Sequence, residues 1–412
     1  MMQRDSQAQS IMRKFASATG LIPPGSQTSH PDEPRRYLWT DAFAVCNYLA
    51  FFQKTGERVF LQEAIALVDQ VHQILGHHRK DSTQSGWLSG LDEQQARLHP
   101  TRGGLRIGKR LNERQFDEPV NESLEWEQDG QYFHYLTKWM HALDCVSRNS
   151  GNHIYNQWAL ELAKVAHQAF TYLPATGGEK RMHWKMSIDL SRPLVASMGQ
   201  HDPLDGLITY WQLEATAKHF AKTQPDRPLE LTLKTEIEEM AAMCDGRSWA
   251  STDALGIGSL LTDAYKLIQL IDYDHRHETA RLEGLLGDID DSLRAFSSHN
   301  SLHLPAEHRL AFRELGLAIG LQAIDRMQQH IEKPPEPFHD VQPMVSLLSE
   351  LSAFCPVHES IENFWLDPHH QSVSAWLEHA DINNVMLATS LAPEGYLQLS
   401  KTYLLVDDGQ FN

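Results

Sequence analysis

Apolar residues recur along most of the chain with the spacing of amphipathic helices. Alternating, strand-like patterns bounded by turn residues are scarce, and are confined to short stretches near Leu98–Ile107 and Met182–Asp189. The pattern therefore predicts an all-α protein with at most two short β ribbons.

An internal repeat indicates how the helices are grouped. When Gly56 is placed over Gly151, a constant offset of 95 residues aligns Phe60 with Tyr155, Ala64 with Ala159, Leu67 with Leu162, and His72 with His167. Each glycine follows one apolar helical segment and precedes another, as a residue that ends a helix does. These two segments are predicted to be helical hairpins built alike.

The same reading predicts six hairpins over the whole chain. Their first helices are expected at about 38–54, 130–148, 204–222, 250–271, 306–328 and 380–391. Five partner helices are expected at about 57–76, 153–172, 228–243, 277–296 and 340–354. The sixth partner is left open between a helix near 5–18 and the C-terminal segment.

The connections indicate where a functional site would lie. Turns within a hairpin are short, whereas the segments 77–129, 173–203 and 355–379 between hairpins are long, and long loops usually carry function. In a ring of antiparallel hairpins these loops emerge on the face where the first helices begin, at the positive ends of the helix dipoles. The site is therefore expected at the starts of the first helices.

The helix starts contain aromatic, carboxylate, imidazole and amide side chains. Aromatic faces with convergent polar groups suit a sugar ring, whose C–H face stacks and whose hydroxyls form hydrogen bonds. The expected substrate-binding residues are Arg36, Trp39, Trp87, Gln131, Tyr132, His134, Trp249, Arg309 and Asn383. The expected catalytic residues are Asp41, His201, Asp202, Asp205, Asp253 and His308.

Several of these residues also have ordinary structural roles. An aspartate such as Asp41 or Asp253 near a helix N-terminus commonly caps the helix or complements its dipole. A tryptophan such as Trp39 is often a core residue. The stretch from His201 to Asp205 has the stronger functional signal, because three titratable groups around a proline would shift each other's pKa.

Composition and charge narrow the classes of function. Thirty-six basic and 54 acidic residues give a net charge of −18, which disfavours a nucleic-acid partner. The four cysteines are far apart without a C-x-x-C motif, and we expect reduced, buried thiols. No cofactor and no metal ligands are predicted, and whether a metal binds is left open. The N-terminus lacks the apolar region of a secretory signal, and no apolar run is long enough to span a bilayer. We therefore expect a cytoplasmic protein without a membrane partner.

Order and spacing of short motifs in residues 35–172 resemble the N-acylglucosamine 2-epimerase and cellobiose 2-epimerase group of the six-hairpin glycosidase superfamily. The matching stretches are Arg36 to Trp39, Thr55-Gly56-Glu57, Ser85-Gly-Trp87-Leu-Ser-Gly-Leu-Asp92, Gln131-Tyr-Phe-His134 and Asn149-Ser-Gly151. The resemblance implies an (α/α)6 toroid with carbohydrate chemistry in a central funnel. We further expect an N-terminal helix and linker over 1–34 and a single (α/α)6 toroid domain over 35–412.

Three functions stay open at this point. A glycoside hydrolase would use two carboxyl groups among Asp41, Asp202, Asp205 and Asp253. A sugar 2-epimerase or isomerase would use His201 and His308 as paired acid–base groups, as the resemblance implies. A non-catalytic helical scaffold is the third. The expected partner is a small-molecule or oligosaccharide substrate, and homo-oligomer formation is left open.

Overall fold

The computed structural model describes residues 2–21, 34–224, 231–274, 278–332 and 342–399. The chain divides into two compact units. The N-terminal unit comprises Ala16–Asp245, and the C-terminal unit comprises Gly246–Leu399 with the N-terminal residues up to Phe15. The first helix, α1, spans Met2–Thr19, over the segment where the sequence predicts an N-terminal helix.

The N-terminal unit consists mainly of helical hairpins. Its helices are α2 (Leu38–Thr55), α3 (Arg58–Leu75), α4 (Glu93–Leu98), α5 (Glu122–Glu125), α6 (Phe133–Ser150), α7 (Ile154–Phe170), α8 (Asp202–Thr223) and α9 (Lys234–Cys244). The pairs α2/α3, α6/α7 and α8/α9 pack together, and α6 also packs between α2 and α8. Gly56 and Gly151 end α2 and α6 in the left-handed conformation, with φ of 72° and 69°, as the internal repeat predicts.

Burial distinguishes the two helices of each hairpin. Nearly every residue of α2 from Leu38 to Phe51 is buried, whereas α3 buries a stripe that includes Phe60, Ala64 and Leu67. A helix that is buried on most of its surface forms a core, and a helix buried along one stripe covers that core. The first helices are therefore the inner helices of their hairpins.

A small antiparallel sheet fixes the start of α6. Its strands, in chain order, are β1 (Gln131–Tyr132), β4 (Lys185–Met186) and β5 (Pro193–Val195), while β2 (Thr171–Tyr172) and β3 (Arg181–Met182) form a separate ribbon. Gln131 pairs with Met186 and Tyr132 with Lys185. Because Tyr132 is followed directly by α6, this register places the long 173–203 segment beside the first turn of α6.

The ribbon predicted near Met182–Asp189 is present, but the one predicted near Leu98–Ile107 is wrong. The segment 98–107, which is described throughout, follows α4, whose N-cap is Asp92. The backbone N–H of Leu105 donates to the Gln131 side chain, and that of Ile107 donates to the carbonyl of Gly130. These backbone groups are satisfied by scattered partners, so no strand ladder forms.

The C-terminal unit has the same hairpin construction. Its helices after α1 are α10 (Ala254–Asp274), α11 (Thr279–Ser298), α12 (Ala311–Ile331), α13 (Gln342–Leu351), α14 (Val357–Leu366), α15 (Ser374–Leu377), α16 (Ala380–Leu391) and α17 (Glu394–Leu397). Inner helices α10 and α12 approach closely at glycines, since a Cβ on Gly258 would lie 2.2 Å from the Gly316 carbonyl oxygen.

Helix α14 lies in 355–379, which the sequence reading treats as a long loop. It forms because Ile361 and Trp365, four residues apart, are both buried against neighbouring helices. Arg4 of α1 donates to Glu362 of α14 at 2.8 Å and to the Ser390 carbonyl of α16 at 3.3 Å. These contacts favour the N-terminal helix as the sixth partner. The alternative partner beyond residue 399 lies outside the described residues.

The all-α class and the positions of the predicted hairpins are confirmed. The closed ring and the single domain over 35–412 concern both units together and stay predictions. Among the described helices, only α10 is long and apolar enough to cross a membrane, over Ala254–Asp272. In that segment 72% of the residues are buried within the protein, as in a core helix. The cytoplasmic location stays a prediction.

Candidate functional site

Two carboxyl groups lie in the first turn of α8. Asp202 begins the helix and Asp205 follows it, with Pro203 between them. A proline suits this turn because its missing N–H has no helical partner there. Both aspartates are buried, with 5% and 4% of their surface exposed. The sequence thus places two acidic groups inside the N-terminal unit, at the end of a core helix.

Asp205 is held by two side chains of α6. The Lys138 ammonium donates to its Oδ1 at 2.8 Å, and the Thr137 hydroxyl donates to its Oδ2 at 2.5 Å. Since a buried carboxylate is stable only when paired and hydrogen-bonded, this environment favours the ionised form of Asp205.

Asp202 has a different environment. Its Oδ2 is buried and has no hydrogen-bond partner among the described residues. Burial, together with the negative charge of Asp205, raises the pKa of Asp202 to about 7. Asp202 can therefore both give and take a proton near neutral pH.

His134, in the first turn of α6, lies beside Asp202. The distance from its Nδ1 to Asp202 Oδ1 is 4.0 Å. The indole N–H of Trp184 donates to the same Nδ1 at 3.3 Å, so the ring proton of the neutral imidazole lies on Nε2. Burial, with the positive charge of Lys138 adding to it, lowers the pKa of His134 to about 3. The imidazole is neutral over the physiological range.

Aromatic rings surround His134. The centroid distances from its ring are 4.8 Å to Tyr135, 5.3 Å to Tyr132, 6.0 Å to Trp39 and 6.1 Å to Trp184. The Trp39 Nε1 is buried and has no hydrogen-bond partner in the part of the chain that the structure describes. We call Trp39, Tyr132, His134, Trp184, Asp202 and Asp205 the Asp202 site.

The carboxylate in the first turn of α2, that of Asp41, is hydrogen-bonded to neighbouring groups of the protein. Asp41 accepts from the Arg36 guanidinium at 3.1 Å and from the Tyr37 backbone N–H at 2.9 Å. Arg36 also donates to the Thr19 carbonyl at 2.6 Å and is 4% exposed. Both residues, expected at the site from sequence, therefore have the contacts of a structural ion pair.

Gln131 and Trp87 hold the loops in place. The Gln131 amide donates to the carbonyls of Gly103 and Ile188, and its oxygen accepts from the Leu105 backbone N–H at 2.8 Å. The Trp87 indole N–H donates to Glu93 at 2.8 Å. Their polar atoms serve the fold rather than an external ligand.

The remaining candidates lie in the C-terminal unit. Arg309 makes a forked ion pair with Glu314, whose Oε2 also accepts from Trp365 at 2.8 Å. Asp253 caps α10 through the Gly256 backbone N–H and pairs with Arg313 at 2.6 Å.

Three further candidates complete that unit. The backbone N–H of Trp249 donates to Asp288 at 2.7 Å. His308 is exposed at the end of a short 3-10 turn, Ala306–His308. Asn383 is fully buried in α16, where its amide donates to the Trp376 carbonyl at 3.0 Å.

The structure brings together part of the predicted set. Trp39, Tyr132, His134, Asp202 and Asp205 meet in one unit, with His201 directly before α8. His201 and His308 belong to different units, so their pairing stays a prediction.

Sequence reasoning missed Trp184 and Lys138. Trp184 could have been found as an aromatic in one of the long loops predicted to line the site. Lys138 lies four residues after His134, one helical turn along α6. A group of side chains that could hold a metal ion lies elsewhere in the described residues. It consists of Cys46, His141 and Cys145, whose donor atoms are close enough to share an ion.

No family model matches the sequence. No curated protein matches it. Solved structures similar to the chain include a cellobiose 2-epimerase from Spirochaeta thermophila, with 14% identity, coverage of 94% of this chain and 97% of that chain, and a TM-score of 0.49. A GH76 alpha-mannanase from Bacteroides thetaiotaomicron has 10% identity, coverage of 94% and 96%, and a TM-score of 0.49. A sugar epimerase from a ruminal bacterium has 10% identity, coverage of 95% and 98%, and a TM-score of 0.46.

Sugar epimerases are thus among the proteins to which this chain is similar, as the motifs in residues 35–172 predict. At such low identity the chemistry of this chain has to rest on its own side chains.

Proposed function

We propose that this protein is a carbohydrate-active enzyme and that Asp202 is its principal acid–base group. The observation that supports this most directly is a buried carboxyl with a pKa of about 7 and one oxygen without a partner among the described residues. Buried polar groups are nearly always satisfied, and strongly shifted pKa values concentrate at functional sites.

The surroundings of Asp202 favour a sugar as the substrate. Trp184 is partly exposed and can offer a ring face to the C–H surface of a pyranose, whereas Trp39 and Tyr132 are each 4% exposed and contact His134 within the protein. The indole N–H of Trp39, which has no partner among the described residues, can donate to a hydroxyl or ring oxygen. Trp126, which is 48% exposed, packs edge-on against Trp184 at 4.9 Å and extends the aromatic surface outwards. Such an extension suits an oligosaccharide better than a single sugar.

Glycoside hydrolysis is the reaction we propose first. It requires one protonated and one ionised carboxyl group. Such a pair can be recognised when one carboxyl lies in an environment that raises its pKa and the other in an environment that favours its ionised form. Asp202 has the raised pKa of the acid, whereas Asp205 is held as a carboxylate by Lys138. Asp202 would protonate the oxygen of the leaving group as the glycosidic bond breaks, and the Asp205 carboxylate would stabilise the positive charge that develops at the sugar carbon. Addition of water at that carbon, with loss of its proton, would complete the reaction.

Epimerisation or isomerisation is the second candidate, favoured by the neutral imidazole of His134 at 4.0 Å from Asp202. Two groups 4.0 Å apart would lie on the same face of a bound sugar, so they could move a proton between C2 and C1 on that face, as in an aldose–ketose isomerisation. Epimerisation would need a second acid–base group on the other face. The pair His201 and His308 is the alternative that the family resemblance implies for this reaction.

One experiment separates these reactions. Purified protein is incubated with a panel of glycosides and reducing oligosaccharides in D₂O, and the products are followed by chromatography and by deuterium content at sugar C2. Hydrolysis predicts new reducing ends without deuterium at C2, whereas epimerisation predicts deuterium at C2 without chain cleavage.

Asp202→Asn and Asp92→Asn serve as the test variant and its matched control. Asp92 is an exposed helix N-cap, and asparagine caps helices equally well. The Asp92 variant is expected to keep full activity, and the Asp202 variant to lose it. If wild-type protein changes no sugar on the panel yet binds one, the non-catalytic reading is correct and the proposal is wrong.

A further inference from the structure

Two thiols and an imidazole converge inside the N-terminal unit, on residues that the proposed reaction does not use. Cys46 belongs to α2, and His141 and Cys145 belong to α6. All three side chains are buried, and their donor atoms lie within 4.8 Å of one another. The cluster joins the inner helices of two neighbouring hairpins.

A chain of hydrogen bonds fixes the orientation of His141. The Gln212 amide nitrogen donates to Asp144 at 2.7 Å, and Asp144 is paired with Arg148, also at 2.7 Å. Since an ionised carboxylate only accepts, the Gln212 oxygen must face the other way, towards His141 Nδ1 at 2.9 Å. Nδ1 therefore carries the proton and donates it to Gln212.

The second nitrogen of the His141 ring, Nε2, is therefore the unprotonated one, and its lone pair can act as an acceptor or a ligand. His141 Nε2 faces the Cys145 sulfur at 3.6 Å. An imidazole whose outer N–H is hydrogen-bonded, and whose other nitrogen faces a donor cluster, has the arrangement of a metal-binding histidine. The network from Arg148 to Gln212 thus fixes the tautomer and the ring orientation of His141, as hydrogen bonds from surrounding residues do for metal-binding histidines in metalloproteins.

The spacing also fits a metal ion. With metal–sulfur and metal–nitrogen bonds of about 2.3 and 2.05 Å at a tetrahedral angle, the sulfur and nitrogen would lie about 3.6 Å apart. The observed separation of 3.6 Å needs no rearrangement of His141 or Cys145.

We propose that Cys46, His141 and Cys145 form a binding site for a soft d¹⁰ metal ion, Zn²⁺ or Cu⁺. Thiolate and imidazole ligands select these ions over Mg²⁺ or Ca²⁺. Binding replaces the two thiol protons by two metal–sulfur bonds and leaves the metal's oxidation state unchanged. The bound ion crosslinks α2 to α6, which stabilises the N-terminal unit.

The test compares metal binding by full-length, reduced protein and by cysteine variants. Metal-free protein is titrated separately with Zn²⁺ and Cu⁺ against a chromophoric chelator, and released protons are counted. Wild type is expected to bind one equivalent of at least one ion, and Cys46→Ser and Cys145→Ser to bind at least about 10-fold more weakly. Cys244→Ser, which changes a buried thiol in α9, is the matched control and should bind like wild type.

Substitution of Co²⁺ into unaltered protein gives a readout that does not depend on the folding of variants. Sulfur-to-cobalt charge-transfer absorption with tetrahedral d–d bands is the expected result. The proposal is overturned if wild type binds neither Zn²⁺ nor Cu⁺ and shows no such bands, or if the serine variants bind as well as wild type.

Discussion

Asp41 and Asp202 occupy the same kind of position but have opposite environments. Each lies in the first turn of an inner helix of the N-terminal unit, and 1% and 5% of their surfaces are exposed. Asp41 accepts from Arg36 and from the Tyr37 backbone. Asp202 has an oxygen without a partner in the described chain and a pKa raised to about 7.

The difference separates a carboxylate in a structural ion pair, Asp41, from the one that we propose to be functional, Asp202. Burying a carboxylate is costly unless it is paired, and Arg36 meets that requirement for Asp41. At Asp202, burial and the negative charge of Asp205 outweigh the Lys138 charge and a backbone hydrogen bond at Gly199, so its pKa is raised to about 7. Carboxyls with strongly raised pKa values are concentrated at functional sites, which supports the proposed role of Asp202.

The C-terminal unit repeats the structural arrangement. Arg309 and Glu314 have the same five-residue spacing as Arg36 and Asp41 and begin α12 in the same way. Because the same kind of ion pair recurs, we infer that it helps to determine the residue at which an inner helix begins.

The largest expected effect is the loss of catalysis in Asp202→Asn. Removing a general acid–base group typically lowers the rate by about 10²–10⁴-fold. The measurement is kcat on whichever sugar of the panel is converted, with Asp92→Asn as control. Retention of wild-type kcat in the Asp202 variant would contradict the proposed role of Asp202 as the acid–base group.

Asp41→Asn should chiefly affect stability. Breaking a buried ion pair leaves the Arg36 charge uncompensated and costs about 3–5 kcal/mol. Urea unfolding should show this loss, and Glu314→Gln should show a similar one in the C-terminal unit. An Asp41 variant that is stable but inactive would show that Asp41 has a functional role and not the structural one assigned to it.

The pH dependence of stability should separate wild type from Asp202→Asn. The folded state holds the Asp202 proton up to about pH 7, whereas the unfolded chain loses it near 3.8, so wild-type stability falls as pH rises through this window. The difference between the two proteins should grow in favour of the variant by on the order of 3 kcal/mol. Parallel stability curves from pH 4 to 7 would show that the carboxyl has an ordinary pKa.

The smallest expected effect concerns indole N–H groups. Trp39→Phe removes a donor without a described partner, so stability should change little while KM rises by roughly 2–10-fold, the value of one hydrogen bond to substrate. The matched Trp365→Phe removes the donor to Glu314 and should cost about 1.5–3 kcal/mol of stability. Equal stability losses in the two variants would count against a ligand at Trp39.

The hairpins could be predicted from sequence because helical periodicity and the glycines at 56 and 151 are local signals. Helix α14 could not, since Ile361 and Trp365 become informative only once their packing partners are known. At the site, the crowding of His201, Asp202 and Asp205 was visible in the sequence.

The division of roles among the candidate residues could not be predicted. Arg36 and Asp41 are close in sequence, but the burial that makes them a structural pair depends on the fold. Trp184 and Lys138 reach the site through the β1–β4 register and the α6–α8 contact, and both are long-range features.

The most direct measurement is the pKa of Asp202 itself. Infrared spectra of protein labelled with ¹³C at aspartate carboxyls can be recorded from pH 3 to 9, and the Asp202→Asn spectrum subtracted at each pH. A carboxyl titrating with a midpoint near 7 is the expected result. A midpoint near 4, the ordinary value for aspartate, would contradict the assignment of Asp202 as the acid–base group.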